Sequence, residues 1–97
     1  MGLEVTVAEG AARSLAETLA ALEADGLSAL VAMIDGQLCA FGAPPPATWR
    51  EARLRTPAGT VTLVKRGGVI AVVVFGNADA ALVDAQARVA RALAGAR

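Results

Sequence analysis

There is no histidine in this 97-residue chain, and only one cysteine. Without histidine, neither a Ser-His-Asp nor a Cys-His nucleophile can be assembled, and no metal can be held by imidazole. With Cys39 alone, one chain can build neither an internal disulfide nor a thiolate zinc site. A reducing cytoplasm is the simplest compartment for such a chain, and Cys39 reads as a small buried hydrophobe. Tyrosine is also absent, and aromatics make up only 3% of the residues. The core must therefore come from Ala, Val and Leu, which bury little area each at about 25 cal/mol per Å². One domain spanning residues 1–97 is expected. A second copy would add burial that such a core lacks.

Charge of one sign is missing too. Nine basic residues balance nine acidic ones, and Lys65 is the only lysine. A balanced chain has no general attraction for nucleic acid or an anionic membrane, so neither is expected as a partner. No basic-then-apolar pattern opens the sequence, and no apolar run approaches ~18 residues, so neither secretion nor a membrane span is expected. There is no glycine-rich phosphate loop: Gly67-Gly68 joins two strand-like runs and opens no helix. Asp79 and Asp84 are five residues apart and do not share a helix face, so they read as solvated helix charges rather than an acid/base pair. No cofactor, no metal and no enzymatic activity are expected.

What is present is organised around residues 69–75, Val-Ile-Ala-Val-Val-Val-Phe. A short β-branched run between glycine turns reads as a strand buried on both faces, hence a central one. Residues 27–34 are likewise apolar on both faces apart from Ser28, and Asp35-Gly36 joins them to a shorter strand at 37–41. Asp-Gly between apolar runs signals a two-residue hairpin, because both turn positions need positive φ. Residues 50–56 alternate, with Ala52, Leu54 and Thr56 opposite Glu51, Arg53 and Arg55; this is the pattern of a half-exposed edge strand, with a short helix after the prolines as the competing reading. Pro57-Ala58-Gly59 turns into a strand at 60–66.

Two helices complete the chain. Leu15, Leu19 and Leu22 recur at helical spacing within residues 8–25, and Gly26 supplies a left-handed stop. The second has Asn77 as N-cap, Asp79 in its first turn, and Leu82, Ala85, Val89, Ala92 and Leu93 as its buried stripe. Residues 1–7 alternate Leu3, Val5 and Val7 with Glu4 and Thr6. Among an extra strand, a docking arm and an ordered lead-in to the first helix, the lead-in is the reading adopted.

The fold class is therefore α+β: a five-stranded, antiparallel-type sheet with the N- and C-terminal helices on one face. Short turns join successive strands. Placing the two all-apolar strands side by side gives the order 2-1-5-4-3, with strands one and five parallel. In register across Gly67-Gly68, Val61, Leu63, Ile70, Val72 and Val74 share one face, which belongs under the helices. Thr62, Val64, Ala71, Val73 and Phe75 share the other, which then needs a cover. Either another chain supplies it, or the connector at 42–48, with Pro44-Pro45-Pro46 and Trp49 behind it. Arg50, Arg53, Arg55, Lys65 and Arg66 read first as edge-strand charge and second as a contact for an acidic protein.

This order of elements resembles the Roadblock family, named for dynein light chains and shared with bacterial regulators of Ras-like GTPases. The resemblance is carried by Arg50-Glu51-Ala52-Arg53-Leu54-Arg55, Pro57-Ala58-Gly59, Thr60-Val61-Thr62-Leu63-Val64, residues 69–75 and Asn77-Ala78-Asp79-Ala80-Ala81-Leu82-Val83. The first helix and the hairpin at 27–41 are similar to its N-terminal part. The family inserts a helix between its second and third strands, for which residues 42–49 leave almost no room. The resemblance implies a Roadblock/profilin-like fold and a non-enzymatic homodimer that binds or regulates a small GTPase, or serves as a scaffold. The expected interface residues are Ala52, Leu54 and Thr56 on an edge strand, with Val73 and Phe75 on the second face. The alternative function is a small-molecule-binding regulatory domain with a pocket near Trp49.

Overall fold

The computed structural model describes residues 3–27, 31–38, 48–76 and 79–95. In chain order the elements are β1 (Leu3–Ala8), a 3-10 turn (Glu9–Ala11), α1 (Leu15–Ala24), β2 (Val31–Ile34), β3 (Gln37–Leu38), β4 (Glu51–Thr56), β5 (Gly59–Arg66), β6 (Val69–Val74) and α2 (Ala80–Ala94). The class is α+β, with an antiparallel sheet packed against two helices. Residues 39–47, which hold Cys39, the end of the strand expected at 37–41 and the three prolines of the expected connector, lie outside the described residues, as does Asn77.

The strands form one sheet in the order β1-β6-β5-β4-β2-β3. The run β6-β5-β4 is contiguous, as expected for the fifth, fourth and third strands. The placement of the two apolar strands beside each other is corrected. β2 lies antiparallel to β4, and β6 pairs with β1 and β5. Each apolar strand still gains a neighbour on both edges, which is what its two-sided burial requires. They gain different neighbours because the alternating segment at the N-terminus is a strand rather than a lead-in. It occupies the edge of β6 over the whole register from Leu3↔Val74 to Ala8↔Val69.

Capping chemistry sets the helix starts. Ser14 Oγ accepts from Glu17 N at 3.1 Å, and Ser14 N donates back to the Glu17 carboxylate at 3.3 Å. This capping box, legible as Ser-Leu-Ala-Glu, moves the start of α1 well past Ala8. Asp79, not Asn77, caps α2, its carboxylate accepting from Leu82 N at 2.9 Å. Gly26 and Gly95 end the two helices with positive φ.

The helix side of the sheet carries the core. Val61, Leu63, Ile70, Val72 and Val74 pack with Leu15 and Leu22 of α1 and with Ala85, Val89 and Leu93 of α2. Full burial of each Val or Leu is worth about 1.5–3 kcal/mol. Trp49 belongs to this same cluster and is buried. It therefore packs on the helix side and does not cover the second face.

Candidate interaction surface

The expected interface residues separate into two groups. Ala52 and Leu54 are completely buried and Thr56 nearly so. β4 is an interior strand between β5 and β2, and these three side chains point under the helices. The edge-strand placement of Ala52, Leu54 and Thr56 is thus corrected: the alternation is real, but its apolar half meets the core. Val73 lies on the opposite side of the sheet, 8% exposed, while Phe75 just beyond β6 is 68% exposed.

The basic residues do not act as one patch. Arg53 pairs with Glu51 at 2.8 Å, Arg66 pairs with Glu4, and Lys65 lies 3.7 Å from Glu9. By register Lys65 is on the helix side, where its ammonium sits 4.5 Å from the centroid of the Trp49 ring. Asp79 and Asp84 also have structural partners, the N-terminus of α2 and Arg88 at 2.9 Å.

Two carboxylates are held below their ordinary range. Asp35 accepts from the backbone N–H groups of Glu51 and Arg50, and both favour its ionised form. Glu17 is lowered by the side chain and backbone of Ser14. Both shifts follow from turn and cap geometry, so neither marks a reactive group.

The surface that remains is at the β1 edge. At the other edge the described part of β3 is Gln37–Leu38. β1 is six residues long and contains no proline, lysine or glycine. Its one charge, Glu4, is engaged by Arg66 of the same chain. The ladder direction follows from Glu9 N, which donates to Gly68 O at 3.0 Å. Antiparallel alternation then turns the N–H and C=O of Leu3, Val5 and Val7 toward β6, and those of Glu4, Thr6 and Ala8 outward.

Large exposed apolar side chains lie on the helix side of this edge, at Leu3 and Val5, with Phe75 on the opposite face of the sheet. Among the described residues, those above a third exposed are Leu3, Val5, Phe75 and Val83. Leu3 pairs with Val74, the residue before Phe75. Gln86 donates through Nε2 to Leu3 O at 3.1 Å and to Val72 O at 3.0 Å, which seats α2 over β1 and β6. Val83 stands one turn earlier on that helix, toward the same side. The period-two run of Leu3, Val5 and Val7 was the sequence signal for this edge. Nothing in the local sequence marked Gln86, because its partners are distant carbonyls.

Among the described residues, fold and surface together define a two-layer α+β arrangement with the six-residue β1 at one edge of the sheet. No family model, curated protein or solved structure matches the chain. Among the described residues, no helix is long and apolar enough to cross a membrane.

Proposed function

We propose that the chain is a non-enzymatic protein-interaction module that works as a homodimer. The observation that supports this is the exposure of Leu3 and Val5 along the edge strand β1, on the side of the sheet that α2 covers. Contiguous exposed apolar surface on a small domain most often marks an interaction site. The absence of histidine from the chain, and the structural partners found for Asp35, Asp79 and Asp84, favour binding over catalysis. The resemblance of the C-terminal half to the Roadblock family supplies the class of partner, a small Ras-like GTPase. That assignment rests on the strand–strand–strand–helix unit alone, since the N-terminal strands are arranged differently here.

Light scattering across a dilution series tests the homodimer, with a mass of two chains at micromolar concentration as the expected result. A one-chain mass at every concentration counts against it. Titration with a Ras-like GTPase in its GDP- and GTP-bound forms tests the partner. Saturable binding to one form supports a regulator, and no binding to either leaves a self-associating scaffold.

A further inference from the structure

We infer that β1 pairs with β1 of a second copy, antiparallel across a two-fold axis, with Val5 opposite its own counterpart. This rests on the homodimer reading above and specifies its geometry.

Three observations select the occupant. The first is backbone direction. The N–H and C=O groups of Glu4 and Thr6 point outward from β1, so a self-paired strand must bond through them. Setting Glu4 opposite the partner's Thr6 makes two such bonded pairs and places Val5 at the non-bonded position on the axis, where side chains approach most closely. The second is side-chain matching. In that register Leu3 meets the partner's Val7 on the helix side, and the exposed Leu3 and Val5 are both covered. A slip by two residues one way puts Glu4 against its own counterpart, a like-charge pair. The slip the other way leaves Leu3 beyond the paired strand, against Glu9. A slip by one residue would set the apolar side against the polar side.

The third is the surface above the strand. The flank of α2 toward β1 carries Val83, Ala87, Ala90 and Ala94, with the exposed Arg91 at its outer border. Asp84 and Arg88 pair with each other, and Arg88 also reaches Asp25 beyond the end of α1, on the far flank. A second copy brings its own α2 over the apolar middle of this flank and leaves Arg91 at the rim. A single extended peptide satisfies the strand edge but leaves Val83 and Ala87 in water. Stable interfaces bury about 800 Å² per partner. That is more than a six-residue edge supplies alone, which is why the contribution of α2 favours a copy of the chain.

The test combines three readouts. Hydrogen exchange on the full chain is expected to show the Glu4 and Thr6 amides slowed at least tenfold at high concentration and released on dilution. Val5→Cys in a Cys39→Ser background is expected to cross-link quantitatively under a copper–phenanthroline oxidant, while Thr6→Cys does not. Val5→Lys is expected to weaken dimerisation at least tenfold with an unchanged circular dichroism spectrum. If that variant misfolds, Val83→Glu, on the exposed helix surface, replaces it.

A dimer that survives both substitutions with no cross-link at residue 5 overturns this geometry and leaves the homodimer reading standing. Cross-linking at residue 6 in place of residue 5 overturns the register. A wild-type chain that stays monomeric overturns both.

Discussion

Asp35 and Glu51 hold each other twice. Asp35 N donates to Glu51 O at 2.9 Å, and Glu51 N donates to the Asp35 carboxylate at 2.9 Å. Asp35 also sits at φ 51°, the left-handed region its hairpin turn demands. One residue thus shapes the β2–β3 turn and locks β2 to β4.

Asp35→Ala is expected to destabilise the fold more than Asp35→Asn, because Asn keeps an acceptor and tolerates positive φ. The ionised form is also the stabilising one. Its folded pKa lies below its unfolded value, so its contribution is complete above about pH 4 and is lost as pH falls further. Glu17 acts in the same direction. Urea titrations at pH 7 and pH 3 should show Asp35→Asn closing part of the gap between the two. An unchanged gap would sink the assignment.

Leu54 is completely buried in an interior strand. Leu54→Ala is expected to cost about 2–5 kcal/mol. Leu54→Asp should abolish folding rather than dissolve a dimer. A Leu54→Asp chain with native circular dichroism and a cooperative melt would contradict the placement of β4.

Gln86 is buried at 3% exposure, with its amide satisfied by two strand carbonyls. Gln86→Leu is expected to cost about 1–3 kcal/mol. The loss should be local, with Val5 and Val7 amides exchanging faster while β5 amides keep their protection. Uniform loss along both strands would mean that Gln86 serves the core generally rather than docking β1.

Trp49 is the only tryptophan and the chain has no tyrosine, so intrinsic fluorescence reports on Trp49 alone. Buried on the helix side beneath Lys65, it should emit at short wavelength. Lys65→Ala strips both the charge and the stem from the ring, so a red shift is expected. Lys65→Met keeps an apolar stem and should lose only about 0.5–1 kcal/mol with little spectral change. Equal red shifts in both variants would show that charge, not cover, shields the ring.

Much of this protein was readable along the chain. The glycine pair at 67–68 and Asp35-Gly36 set two hairpins, both with positive φ at both turn positions. The period of residues 60–75 sorted the side chains that pack under the helices from those of the opposite face. Gly26 marked the end of α1, while its start was read too early, at residue 8, because the Ser14–Glu17 capping box went unread. These features depend on covalent neighbours a few residues apart, whose sterics and hydrogen bonds act wherever the segment lies.

Only the tertiary structure decided which strand edges meet. β1 joins β6 from the other end of the chain, and β2 joins β4 rather than β6. The candidate surface follows from that choice, since it turned Leu54 inward and left Leu3 and Val5 on the rim. Any free strand edge can pair with any other. The choice among them depends on what the whole sheet buries and which carbonyls, such as those of Leu3 and Val72, a distant side chain can satisfy.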